Sequence, residues 1–249
     1  MLQLGRHWKQ VEIFRFGCMK IAFLIREINV YGGTHKQFLK LLEYTQQQGI
    51  DFIVITKYLN FDKTYPAFKN FRNKILVYNP YYTPWYLNIY YFRRYLKSYY
   101  RNHHCYFRKL LRGCDVVNVH DNGWEEEFPL MGGRPIFWQI NDLPGHFAVG
   151  ASKNHTITEN DKRLQQQTLD RLKYVKDISV NVGKNAERVK EYFHRDAHVF
   201  YCGVEPVCID KNTEETFKRF AEKKINILSS GHFFTYRNYE TQIKVGNWL

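Results

Sequence analysis

Apolar residues in this chain gather into short continuous runs separated by longer stretches of helical period. Ile21 to Ile25, Phe52 to Thr56, Ile75 to Tyr78, Val116 to Val119, Ile136 to Ile140, Ile178 to Val182 and His198 to Cys202 read as strands. Most are apolar at successive positions rather than at every second one, the pattern of strands covered on both faces. Between them lie predicted helices: Thr34 to Gln48, closed by Gly49; Trp85 to Leu111, closed by Gly113; Glu159 to Val175; and Lys184 to Phe193, opened by Gly183. Glycine just past a helix accepts the left-handed turn that ends it. Strand–helix alternation of this kind predicts an α/β protein, a Rossmann-like parallel sheet with helices on both faces. After a polar stretch, Asp210 to Lys224, a further apolar run at Ile225 to Ser229 predicts a second Rossmann-like domain that is only begun. The expected organisation is an amino-terminal extension at 1–18, a domain at 19–208, a linker helix at 209–224 and the start of the second domain at 225–249. Met19, directly before the first strand, reads as an alternative natural start; a short helical arm over 1–18 is the competing reading.

With 249 residues, 44% of them hydrophobic, the chain has material for a sizeable core. Its formal charge of +13 is concentrated: Lys63 to Cys114 contains eleven Lys and Arg and no acid. The expected partner is therefore a local anionic surface rather than a nucleic acid coating the whole protein. Five cysteines without a C-x-x-C pair point to a reducing compartment, and no apolar run reaches the length of a membrane span. The expected location is cytoplasmic, with peripheral attachment to the cytoplasmic face of the membrane left open.

Candidate chemistry begins at Gly32 and Gly33, between the first strand and its helix. Glycines there let an anionic group approach backbone N–H groups at the positive helix end, but they also serve simply to turn the chain. A dinucleotide fold is disfavoured, because G-x-G-x-x-G is absent and the second strand ends in Thr56-Lys57 rather than in an acid. His120 and Asp121 end the fourth strand at the carboxyl edge, where open α/β sheets hold ligands; contact with an acceptor and a loop-capping role are both open. His103, His104 and Cys105 are adjacent on a predicted helix and diverge, so no metal is expected.

Several segments in order, Lys20 to Ile25 with Tyr31-Gly32-Gly33-Thr34, Asp115 to Asp121, Pro135 to Asp142, Ser179 to Asn185 and Tyr201 to Glu205, resemble the amino-terminal half of a family 4 glycosyltransferase of the GT-B fold. The tail Ile227 to Glu240 is similar to the opening of that family's donor-binding domain. The resemblance implies retaining, metal-independent transfer of a sugar from a nucleotide sugar (UDP- or GDP-linked) to a hydroxyl of a glycan or lipid, with no cofactor. It places Gly32 and Gly33 by the donor phosphates and the acceptor, and Gly203-Val204-Glu205 at a hinge. Gly231, His232 and Arg237 fall at the donor diphosphate, where His232 replaces the usual Arg and weakens the site. Asn141 stands where many members carry a sugar-contacting His, and unlike His it cannot gain a proton. The family's glutamate pair, eight positions apart in the second domain, is not found. Glu214 and Glu222 have the spacing but fall in the linker, so the chain alone is expected to be inactive.

Nine tyrosines, Trp85, Phe92 and Phe107 interleave with cations between Tyr81 and Arg112. Arg93, Arg94, Lys97, Arg101, Arg108 and Lys109 are the candidates for facing an anionic membrane, against the alternative of a crossover helix whose aromatics cover the sheet. Single-stranded nucleic acid also suits such a mixture, but nothing else resembles a nucleic-acid module. Two function classes follow: a glycosyltransferase-like enzyme, or a non-catalytic binding module that holds a membrane, glycan or protein partner through 81–112.

Overall fold

Among the described residues seven strands, all parallel, make one sheet in the order β3-β2-β1-β4-β5-β6-β7. They are β1 (Lys20–Ile28), β2 (Asp51–Leu59), β3 (Ile75–Val77), β4 (Val116–His120), β5 (Ile136–Ile140), β6 (Val175–Val180) and β7 (His198–Val199). Among the described residues three helices are bounded at both ends: α1 (Gly33–Gln47) after β1, α2 (Glu159–Arg171) before β6 and α3 (Gly183–Phe193) after it. The computed structural model describes residues 19–78, 104–147 and 157–201. The chain divides into two compact units, Met1–Phe147 with Glu159–Tyr201 and Ala148–Thr158 with Cys202–Leu249. All described residues except Ile157 and Thr158 belong to the first. The proposed extension, linker and second-domain start lie outside the described residues.

The predicted strands are present with shifted ends. β1 and β2 run three residues past their apolar runs, because pairing needs only backbone: Glu27 stays in register with Tyr58, and Ile28 with Leu59. β6 begins at Val175 rather than Ile178. The preceding helix stops at Arg171, and one 3-10 turn, Leu172–Tyr174, takes up the residues assigned to it. Val182, read as strand, caps α3 instead. Gly49 (φ +68°) and Gly113 (φ +81°) do end their helices in left-handed geometry. The helix closed by Gly113 is helical at 104–110, its earlier part lying outside the described residues.

Each face of the sheet carries its own core. On one, Phe23, Ile25, Phe52 and Val54 pack beneath Phe38, Leu39 and Leu42 of α1 and Phe68 and Phe71 of a 3-10 segment. Burying each such side chain contributes on the order of 2 kcal/mol. On the other, Leu24, Val117, Val119, Trp138 and Val180 meet Phe107, Leu111 and the α3 residues Val189 and Phe193. Cover on both faces fits the continuous burial of Ala22 to Ile25. It fails at β5, where Phe137 is 38% exposed: α1 lies over β1 and does not reach so far across the sheet. Among the described residues no helix is long and apolar enough to cross a membrane.

Arg195 ties α3's far end to the start of β6. Its guanidinium donates to the carbonyls of Leu172 (3.1 Å), Val175 (2.7 Å) and Lys176 (2.9 Å). Removing the fork leaves three acceptors to find new partners, so Arg195→Ala is expected to cost about 2 kcal/mol. Lysine, a point donor, should restore only part. An unchanged urea midpoint for the alanine variant would contradict this.

Candidate functional site

The sheet order reverses between β1 and β4: β2 and β3 extend to one side of β1, β4 to β7 to the other. Connections leave these two strands in opposite directions, which opens a crevice at their carboxyl ends. Into it runs the start of α1. Gly32 is its N-cap, extended at φ −152° and ψ 160°, with no side-chain cap and no acid in the first turn. The first helical bond runs from the Lys36 N–H to the Gly32 carbonyl at 3.0 Å. The N–H groups of Gly33, Thr34 and His35 therefore precede any intrahelical partner, with the positive end of the helix dipole behind them. Neither Gly32 nor Gly33 needs a positive φ, so turning the chain does not by itself demand them. What their lack of a side chain provides is space: a Cβ on Gly33 would meet nothing within 4 Å, and one on Gly32 would meet only His35 Nδ1 at 3.4 Å. His35 is fixed from the other side, its Nε2 donating to the Glu27 carbonyl at 2.8 Å.

Beneath α1 lies His120, 0% exposed, its ring 4.9 Å from that of Phe38. Burial pushes its pKa down to about 4. The Thr34 backbone favours the proton but falls short of hydrogen-bond geometry to either ring nitrogen, so burial prevails and the imidazole is neutral at pH 7. Asp121 follows in the left-handed conformation (φ 69°), a position that Asp tolerates better than most residues. Its carboxyl is raised to about 6, chiefly by burial and further by Asp142, against the amides of Asn122 and Asn141 and the charge of Arg26. Its main chain is pinned: the Gln139 carbonyl accepts from its N–H at 2.8 Å, and its own carbonyl accepts from Trp138 Nε1 at 3.0 Å.

Asn141, at the end of β5, joins these groups. Its Nδ2 donates to Thr34 Oγ1 at 3.2 Å, which places the side chain at the mouth of α1. From α3, Asn185 Nδ2 donates both to the Asn141 carbonyl and to Asn181 Oδ1 (3.1 Å). Asn141 is only 6% exposed, yet its Oδ1 has no hydrogen-bond partner. A buried acceptor left unpaired costs roughly 1–3 kcal/mol, so this atom is poised for a donor.

No protein-family model matches the sequence, and no curated protein matches it. Solved structures similar to it are glycosyltransferases. One is a lipopolysaccharide outer core galactosyltransferase, WaaB, in its apo form, 18% identical over 78% of this chain and 47% of its own, TM-score 0.47. A second is WaaG, a glycosyltransferase involved in lipopolysaccharide biosynthesis, 12% identical over 82% of this chain and 52% of its own, TM-score 0.49. A third is an alpha-glucosyltransferase in complex with UDP and a 13-mer DNA, 11% identical over 74% and 42%, TM-score 0.42. The chain spans about half the length of these structures.

The candidates Gly32, Gly33, His120, Asp121 and Asn141 thus meet at one sheet edge. Arg108 and Lys109 do not join them: both are exposed on the helix that leads into the amino-terminal end of β4. Phe107 and Leu111 of the same stretch are buried against the sheet, so its described part packs on the domain with Arg108 and Lys109 facing outward. Arg93, Arg94, Lys97, Arg101, Gly203, Val204, Glu205, Glu214, Glu222, Gly231, His232 and Arg237 lie outside the described residues. Among the described residues no group of three His, Cys, Asp or Glu side chains converges as metal ligands. Sequence reasoning passed over Thr34 and Asn185, which orient Asn141. An Asn in the first turn of a helix that follows a strand was the available sign.

Proposed function

We propose that the described sheet is the acceptor-side half of a glycosyltransferase. The reaction is transfer of a sugar from a UDP- or GDP-linked donor to a hydroxyl of a glycan or lipid, retaining and metal-independent. The observation that carries this reading is the unpaired, buried Oδ1 of Asn141 beside the uncapped start of α1. The edge brings the backbone N–H donors of α1 and a side-chain acceptor together through the Asn141–Thr34 hydrogen bond, and a sugar hydroxyl is a group that answers both. Asp121, ionised above about pH 6, adds an acceptor at the rim. His120 supports α1 from below as a neutral ring. The ordered motifs that resemble family 4 enzymes agree with this assignment, and in it Gly231, His232 and Arg237 would receive the donor diphosphate.

Asn141→Ala is expected to weaken binding of the best ligand in a panel of UDP-sugars, GDP-sugars and tagged oligosaccharides about tenfold, the loss of one well-placed hydrogen bond. Equal affinity of the variant would overturn the assignment. The glutamate pair of the resembling family is not among these 249 residues, and positioning both substrates supplies much of the rate in such reactions. The purified chain should therefore bind without turning over radiolabelled UDP-glucose or GDP-mannose, and measurable transfer would contradict that.

A further inference from the structure

Beside the glycine pair the loop after β1 is tied to the segment after β2 by successive contacts. The Asn60 N–H donates to the Ile28 carbonyl (2.8 Å), Thr64 Oγ1 to the Val30 carbonyl (3.4 Å) and the Tyr65 hydroxyl to the Gly32 carbonyl (3.4 Å). The ties end in an edge-to-face pair, Tyr31 on Tyr65, with centroids 5.3 Å apart and planes at 77°. Tyr31 is nevertheless 51% exposed. A large aromatic side chain packed edge-to-face on a second ring while half in water contributes little to the core and presents an amphipathic surface suited to contact.

We propose that Tyr31, braced by Tyr65, is a stacking platform for a pyranose ring of a carbohydrate acceptor. This rests on the glycosyltransferase reading and adds to it the part of the ligand that is recognised. One face of a pyranose presents C–H groups, slightly positive, which complement the negative face of an aromatic ring; its rim presents hydroxyls. Tyr31 directly precedes Gly32, and the space over Gly33 is open, so a sugar on the ring adjoins the start of α1. Tyrosine rather than an aliphatic residue favours a sugar over an acyl chain, because the phenol tolerates the wet rim that a sugar keeps. Bracing by Tyr65 and the backbone ties reduces the freedom lost on binding.

The test uses the full 249-residue chain with fluorescently tagged trisaccharides of glucose, galactose, mannose and N-acetylglucosamine, and with phosphatidylglycerol vesicles as a second probe. Tyr31→Ala should weaken the best glycan about tenfold, while Tyr31→Trp, which keeps a ring, should stay within about threefold. Tyr65→Leu should weaken it through loss of the brace. If Tyr31→Ala binds as the wild type while Asn141→Ala does not, the platform is wrong and the glycosyltransferase reading stands. If the wild type binds no glycan, both fall. Loss of vesicle binding with glycan binding intact in Tyr31→Ala would also overturn the platform.

Discussion

Replacing His120 with Gln should make the protein relatively more stable in acid, by up to about 3 kcal/mol between pH 6.5 and 4. The native imidazole has its pKa lowered from 6.5 to about 4. The unfolded chain therefore binds a proton that the folded one refuses, and stability falls as pH drops through this window. Removing the group removes that loss. Asp121→Asn should act in the opposite sense. Its carboxyl is raised from 3.8 to about 6, so the folded state takes the proton first. The stability it adds is fully present below about pH 3.8 and is lost as pH rises to about 6, again about 3 kcal/mol. The two neighbours largely cancel in the native protein. Urea unfolding of each variant, taken as the difference from wild type at pH 4, 5, 6 and 7, reads the slopes free of any constant cost of substitution. Parallel, flat differences would contradict the burial of both groups.

The second large effect concerns Lys57. Its Nζ lies 2.9 Å from Glu127 Oε1, both side chains under a tenth exposed, and 4.7 Å from the ring centre of Trp124. Burial raises the Glu127 carboxyl despite the ammonium beside it. Lys57→Met strands that carboxylate and is expected to cost about 3–5 kcal/mol at pH 7. The loss should shrink as pH falls, because Glu127 can then take up a proton. Lys57→Met combined with Glu127→Gln should recover most of the stability. A single variant as stable as wild type, or no recovery in the double, would show that the pair does not hold the end of β2 to the loop after β4.

Lys57 also shows where the sequence is legible and where it is not. The apolar runs identify every strand of the sheet, and the terminal glycines Gly49 and Gly113 locate helix ends, because these signals depend on local chemistry. The apolar signal stops short at Arg26 to Ile28 and Lys57 to Leu59, because the charged Arg26, Glu27 and Lys57 interrupt the apolar runs while the backbone pairing continues to Ile28 and Leu59. A lysine at the end of an apolar run reads as a stop signal, yet here it is buried because Glu127, seventy residues on, meets it. Gly32, Gly33, His120, Asp121 and Asn141 could be grouped from their positions after successive strands. The bonds that make Asn141 a directed acceptor could not, since Thr34 and Asn185 reach it only once strand order is fixed.

The most direct measurement is a titration of the chain, labelled with 15N at asparagine, with the tagged trisaccharides and with UDP- and GDP-sugars, following the side-chain amides by NMR. If the edge between β1, β4 and β5 receives a sugar hydroxyl, the Asn141 and Asn185 amide pairs shift in saturable fashion with one ligand class. Shifts confined to other asparagines, with these two unmoved at saturation, would contradict the account.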